Sequence, residues 1–335
     1  MEPKKLLEVR DLRVTFRTYA GRVQAVRGVS WYLGERETIA IVGESGCGKT
    51  VSIQTVAGLN SSKTTDIQGQ VLFDGQDLVQ LPMKEIRKLQ GEKMSMIFQD
   101  PFTFLNPTMT VGKQIMESYR EHRKASRKEA EARTIEILKL ISLPDPEKNM
   151  RRYPHQLSGG MRQRVMVAMA LICDPQILFA DEPTTALDVT IQAQIVDLMK
   201  ELKTKIDTSI VLITHDMGVV ANMAQRIYVM YAGQIVEEGD SRDIFYSPKH
   251  PYTKALLESV PQVDSDAGTP LASIPGTPPD LIAPPQGCAF AERCPYAMEI
   301  CRRAQPALTE FGGEHAAACW LHHEEFAKRR GGAPL

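Results

Sequence analysis

Apolar and polar positions alternate in Leu7-Glu8-Val9-Arg10 and again in Val14-Thr15-Phe16, a period of two that predicts antiparallel strand near the N-terminus. Thr38-Ile39-Ala40-Ile41-Val42 is instead a short unbroken apolar run that ends at a glycine-rich loop, the pattern of a strand buried on both faces. Ile177-Leu178-Phe179-Ala180 and Ser209-Ile210-Val211-Leu212-Ile213 repeat that pattern, each followed by a polar loop and then a helical period such as Ile191 to Leu202. Strands alternating with helices predict an α/β sheet. Between about 112 and 172 the period is helical and charged throughout, as in Lys124 to Leu140, so this stretch is expected to be a helical insert. No internal repeat is visible, so the α/β core is present once.

Prolines break the pattern toward the end. Eleven of the twenty-one lie between Pro248 and Pro306, where helices and central strands are disfavoured, and this places a domain boundary near 250–260. A length of 335 residues suits two domains, or one large domain with an appendage. Forty basic against forty-one acidic residues give a net charge of −1, which speaks against a nucleic-acid binder held by phosphate contacts and confines any anion site to a local feature. The first eight residues, Met1 to Glu8, carry charges where a signal peptide needs an apolar run, so export is not expected. No stretch approaches the roughly 18 consecutive apolar residues of a membrane-spanning helix.

Candidate chemistry begins at the glycine loop. Gly43-Glu44-Ser45-Gly46-Cys47-Gly48-Lys49-Thr50 fits G-x-x-x-x-G-K-[ST] at every defined position, after an expected strand and before an expected helix, Val51 to Leu59. Glycines let the backbone curl until its N–H groups face phosphate oxygens, and the helix N-terminus adds partial positive charge. Lys49 is expected to reach the β- and γ-phosphates and Thr50 to place its hydroxyl on Mg²⁺. A carboxylate partner for the metal comes from Asp181, delivered by an apolar strand to the sheet edge where ligands bind in α/β folds. The adjacent Glu182 is then free to act as general base on the attacking water. His215, at the end of another apolar strand, can hydrogen-bond a γ-phosphate.

Leu157-Ser158-Gly159-Gly160-Met161-Arg162-Gln163-Arg164, upstream of the Asp181 strand, resembles the LSGGQ signature of the ATP-binding cassette family. Gln99 resembles that family's Q-loop glutamine, Asp188 its D-loop aspartate and His215 its switch histidine, and the motif order covers residues 1 to about 245. The resemblance implies a P-loop cassette: a mixed sheet core, an antiparallel β subdomain, and a helical subdomain at about 100–172. It also implies that Walker A residues 43–51, Val51 included, wrap ATP, with Glu182, His215 and Gln99 catalytic and Thr50, Gln99 and Asp181 on Mg²⁺. Ser158, Gly159, Gly160 and Asp188 would act in trans on ATP held by a second cassette, and Tyr19, with Phe16 as a substitute, would stack on adenine. Val51 replaces the usual hydroxyl residue and Met161 the signature glutamine, two departures that leave Lys49, Asp181, Glu182 and His215 intact.

Residues 247–253, 274–279 and Cys288-x5-Cys294-x6-Cys301-x17-Cys319 resemble the C-terminal extension of oligopeptide and dipeptide importer ATPases. That resemblance divides the chain into a nucleotide-binding domain, 1–255, and a small Pro/Cys-rich domain, 256–335, whose four cysteines would hold a [4Fe–4S] cluster. On spacing alone, four thiolates suit Zn²⁺ or an iron–sulfur centre equally, and free thiols remain open. Cys47 and Cys173 read as a tolerated small side chain and a buried small hydrophobe. The implied partners are a second homologous ATPase, two transmembrane permease subunits and an external solute-binding protein. The implied location is the cytoplasmic face of the cell membrane, peripheral through the permease. A nickel or other metal-complex importer fits the same resemblance, and a soluble cassette protein acting on nucleic acid or ribosomes is the competing class, disfavoured by the neutral charge.

Overall fold

The alternation near the N-terminus becomes one long strand, β1 (Lys5–Thr18), rather than two. The break in its pattern is a bulge between Arg10 and Arg13, where Asp11 takes a left-handed φ of 44°. In the computed structural model, residues 5–60, 63–100, 104–183, 189–259 and 273–323 are described. The chain divides into two compact units, one made of Leu33–Thr38 and Gln80–Ile213, the other of Leu7–Tyr32, Ile39–Val79 and the residues from Thr214 on.

In the second of these units β1 lies between β2 (Gly21–Gly34) and β4 (Thr65–Phe73), with the short β5 (Gln76–Asp77) outside β4, forming the expected antiparallel layer. The apolar run β3 (Thr38–Val42) is buried at all five positions, as its composition requires.

The first unit holds three parallel strands, β6 (Met94–Ile97), β7 (Ile177–Asp181) and β8 (Ser209–Thr214). The register pairs Ile97 with Ala180 and Asp181 with Ile213, so the ends of all three strands reach one edge. The helical insert is present as helices Val111–Arg123, Arg127–Leu140, Pro146–Asn149 and Gly159–Leu171. The helix expected from Lys124 starts later. Lys124 caps the preceding helix in a left-handed conformation, and Ser126 opens the next through a reciprocal capping box with Glu129.

The second unit resumes with β9 (Arg226–Tyr231), parallel to β3, and β10 (Gln234–Asp240), antiparallel to β9. Ala232 and Gly233, at φ 48° and 80°, supply the two left-handed residues of the tight turn between them. The proline-rich tail then continues this layer. β11 (Thr309–Glu310) pairs with β12 (Ala316–Ala317), which lies antiparallel along β10 with Ala317 opposite Glu237. Phe290 and Ala289 enter the same buried cluster as Val42, Val229, Tyr231 and Tyr252. Phe290 meets Tyr231 edge-on at 5.3 Å and Tyr252 at 5.4 Å between ring centres, an arrangement favoured by aromatic quadrupoles.

A carboxylate anchors the joint. Glu237 is fully buried, accepts the backbone N–H groups of Lys249 and His250 at 2.6 and 2.8 Å, and meets His315 Nε2 at 2.8 Å. So many partners are what a buried carboxylate needs to offset lost hydration. His250 is itself buried, and its Nδ1 accepts the Tyr252 N–H at 3.0 Å, capping helix Pro251–Glu258.

Two outcomes are expected. Phe290→Ala removes a ring that is 1% exposed and is expected to destabilise the unit that holds β3 and β9 by about 3–5 kcal/mol, read from a denaturant midpoint. A change confined to the tail, with that unit's transition unmoved, would show the tail to be energetically separate. Burial, and secondarily His322, holds the His250 imidazole down to about 3. The unfolded chain therefore takes up a proton at this position below about pH 6.5 while the folded chain does not, and stability falls as pH drops from about 6.5 toward 3. Its limiting slope is about 1.4 kcal/mol per pH unit. His250→Asn, whose amide oxygen can take over as the capping acceptor, is expected to flatten that slope in pH-dependent unfolding; an unchanged slope would exclude His250 as its source.

Candidate functional site

Glycine geometry fixes the loop after β3. Gly43, Gly46 and Gly48 all have left-handed φ, at 152°, 77° and 103°. A Cβ on Gly43 would lie 2.1 Å from the Met230 carbonyl oxygen, and one on Gly48 would lie 2.3 Å from that of Ala25. No side chain fits at either place, so the loop closes only with glycine. Around Gly46 there is open space instead, and Ser45 and Gly46 are exposed. Helix Lys49–Val56 starts directly behind this curl. Lys49 is 5% exposed, and its Nζ donates to the carbonyls of Gly43 at 2.7 Å and Glu44 at 2.9 Å, so the ammonium lies across the inside of the loop. Cys47 is buried beside it, Sγ 3.8 Å from Nζ, and burial raises its thiol pKa.

Glu44 is held from outside. Its N–H donates to the Tyr252 hydroxyl at 2.8 Å, and its carboxylate accepts two N–H groups of Arg293, at 2.6 and 2.9 Å. That bidentate bond raises the Arg293 pKa further. Reading the sequence did not single out Arg293 or Tyr252, because both stand more than 200 positions from the loop they touch. In the same unit, His215 is exposed on the turn before helix Met217–Met223, whose N-terminus Asp216 caps by accepting the N–H groups of Gly218 and Val219. Tyr19 stands fully exposed at the turn between β1 and β2, while Phe16 is half-buried.

Strand register builds the other half of the candidate chemistry. Because Ile97 and Ala180 are level on adjacent parallel strands, Gln99 and Glu182, each two residues further on, meet beyond the edge, and Gln99 Nε2 donates to Glu182 Oε2 at 2.9 Å. Asp181 stays in the sheet and is 3% exposed. Glu182 leaves it with a left-handed φ of 45°, its N–H donating to the Ile213 carbonyl at 2.8 Å. Ser158 caps helix Gly159–Leu171, its hydroxyl accepting the Met161 N–H at 3.4 Å, and is exposed at that helix's positive end. The buried Gln163 on the same helix donates to the Pro183 carbonyl at 2.6 Å and so ties the signature helix to the segment after Glu182. Asp188 lies outside the described residues.

The cysteine tail shows no metal-binding arrangement among the described residues. Cys288 donates its backbone N–H to the Cys301 carbonyl at 2.7 Å, and the four thiols are close enough to act on one another's ionisation. Among the described residues, however, no group of three or more His, Cys, Asp or Glu is arranged to hold a metal ion. The Met298 N–H donates to Cys301 Sγ at 3.5 Å. Burial pushes the Cys288 thiol up to about 11 and the Cys319 thiol up to about 12, and raises Cys294 as well. Among the described residues no helix is long and apolar enough to cross a membrane.

Two family models match the chain in separate stretches. The ABC transporter family model matches residues 26–185, and the model for the oligopeptide/dipeptide transporter C-terminal region matches residues 236–301. The dipeptide transport ATP-binding protein DppD of Bacillus subtilis is 55% identical over 324 residues, 96% of each chain. The oligopeptide transport ATP-binding protein OppD of Escherichia coli is 49% identical over 96% of this chain and 94% of its own. A dimeric ATP-binding cassette solved in a post-hydrolysis state with ADP and Pi superposes with a TM-score of 0.63 at 28% identity, covering 70% of this chain and 99% of that one. CbiO1 of Clostridium perfringens, part of an ABC transporter complex, gives 0.61 at 25% identity over 72% and 91%. With a glycine loop, a signature helix and a C-terminal region that all match, the chain belongs to the oligopeptide/dipeptide family of ABC transporter ATP-binding proteins.

Proposed function

We propose that this chain is the ATP-hydrolysing subunit that powers import of di- or oligopeptides across the cytoplasmic membrane. One observation carries the reading: the likeness to dipeptide and oligopeptide transport ATP-binding proteins runs through 96% of the chain, phosphate loop and cysteine tail together. In this reading residues 43–51 wrap the phosphates of ATP, and Lys49 exchanges its two carbonyl partners for β- and γ-phosphate oxygens. Thr50, Asp181 and Gln99 hold Mg²⁺, which screens the charge of the phosphates. Glu182 takes a proton from water as the water oxygen bonds to the γ-phosphorus and the bond to the β-phosphate oxygen breaks, giving ADP and phosphate. The Gln99 bond engages one carboxylate oxygen of Glu182 and so helps to orient the group. His215 bonds the γ-phosphate, and Tyr19 offers an open ring face for adenine.

Ser158, Gly159, Gly160 and Asp188 act on the ATP of a second, homologous ATPase, so nucleotide closes a pair of cassettes and hydrolysis releases it. Two permease subunits receive that motion, and a solute-binding protein outside the membrane supplies the peptide. Phe104, half-exposed and stacked on Phe98 at 3.8 Å directly after the Gln99 segment, suits the permease-facing surface. The chain works at the cytoplasmic membrane face, held by these subunits. Its functional division is a cassette, 1–255, with a helical subdomain at about 100–172, and an extension, 256–335.

Four soft sulfur donors in one short tail, two buried and two partly buried, suit the chemistry of a [4Fe–4S] site, with Zn²⁺ as the alternative. Cys288, Cys294, Cys301 and Cys319 are the ligands in that assignment. It requires their side chains to turn toward one centre and to ionise, which a bound cation favours.

Glu182→Gln in the assembled transporter is expected to lower steady-state hydrolysis by about 10²–10⁴-fold while ATP binding persists; an unchanged turnover would remove Glu182 as the base. Lys49→Ala is expected to weaken nucleotide binding itself, measured by equilibrium titration. For the tail, chain purified without oxygen is expected to show broad visible absorbance that dithionite bleaches. Stoichiometric zinc without colour would replace the cluster, and metal-free protein would remove both.

A further inference from the structure

Arg293 lies in the tail, one residue before Cys294, yet its guanidinium is spent on the phosphate loop and its surroundings. Nε donates to the Pro275 carbonyl at 2.9 Å. One terminal nitrogen donates to Glu44 Oε2 at 2.6 Å and to the Tyr231 hydroxyl at 3.2 Å, and the other to Glu44 Oε1 at 2.9 Å and to the Ile274 carbonyl at 3.1 Å. These five bonds match the five N–H donors that arginine owns, so the side chain, 4% exposed, has one orientation that satisfies it. Its backbone is fixed too, through Arg293 N–H to the Phe290 carbonyl and Ala291 N–H to the Cys288 carbonyl, both 3.0 Å. Glu44, by contrast, sits in a loop whose next two residues, Ser45 and Gly46, are exposed, with open space around Gly46.

We propose that Arg293 is a positioning residue for nucleotide binding: from the cysteine tail it holds Glu44 and thereby fixes the phosphate loop in its receptive curve. The inference rests on the reading that this loop binds ATP. Two effects follow from one contact. A loop already bent does not lose further conformational freedom when phosphate arrives. The guanidinium also neutralises a carboxylate that would otherwise stand beside the phosphates as an uncompensated negative charge. The same contact makes the turn from Cys288 to Cys294 a mechanical support of the loop, so disturbance of that turn reaches the nucleotide.

The test uses the full chain and a fluorescent ATP analogue titrated to equilibrium, with hydrogen exchange of amides 43–48 as a second readout. Arg293→Met is expected to weaken binding by about 10-fold or more and to speed exchange across the loop. Adding Glu44→Gln to Arg293→Met removes the stranded charge and is expected to recover part of the affinity but not the protection. Arg293→Lys keeps the charge, loses the two-pronged bond, and is expected to fall between; it serves as well if the methionine variant does not fold. Unchanged affinity and exchange in a folded Arg293→Met or Arg293→Lys chain would overturn the inference. Failure of the unaltered chain to bind the analogue would instead overturn the ATP reading on which it rests.

Discussion

The phosphate loop depends on the close approach of backbone to backbone. Gly43 and Gly48 pass so near the carbonyls of Met230 and Ala25 that a single methyl group at either glycine would overlap them. Only at that closeness does the intervening chain curl as it does, and such a glycine curl is what a phosphate site of this kind needs. The loop is thus moulded by β9 and β2, and its shape is as good as their placement. β9 in turn is flanked by β3 and β10, and β10 by the tail strand β12. A local glycine motif therefore draws on a layer that reaches to Ala317.

This explains why the tail is built into the sheet and the aromatic core. A stretch as short as 273–323, rich in proline, has too little apolar surface to close a core of its own. It gains stability by lending Phe290 to Tyr231 and Tyr252, His315 to Glu237 and Arg293 to Glu44. Tyr231 follows Met230 directly, so the residue that moulds Gly43 and the one that packs Phe290 share one strand. Proline content signalled irregular chain, yet helices Pro251–Glu258 and Glu299–Arg303 form within that stretch, and it carried no information about where the loops dock.

What could be read in advance had short sequence range. The phosphate loop, the buried runs at β3, β7 and β8, and the signature helix are each specified by neighbours within about ten positions, and each stands where the pattern puts it. The meeting of Gln99 with Glu182 was legible only in part, since two motifs indicate two residues but only strand register makes them level. Arg293 gave no signal because its partner is 249 positions away and an arginine in a polar tail looks solvated. The cysteines are a different case: the sequence brings four of them into one tail, but their mutual arrangement is set by the fold, and among the described residues no group of three or more potential ligands is arranged to hold a metal.

Asp181 and Glu182 show how one strand end yields two kinds of carboxylate. Asp181 remains in the ladder opposite Ile213, buried, with the stiffness of the sheet behind it. Glu182 takes a left-handed backbone, a conformation that costs a non-glycine residue about 1–3 kcal/mol and persists only when its surroundings enforce it. Those surroundings are the Ile213 carbonyl at its N–H and Gln99 at its side chain. The first is sheet and stays put. The second comes from the segment after β6, so the orientation of Glu182 depends on a residue outside the sheet, whereas Asp181 is held within it. One strand end thus yields a carboxylate held by the sheet and another held by a side-chain bond from outside it.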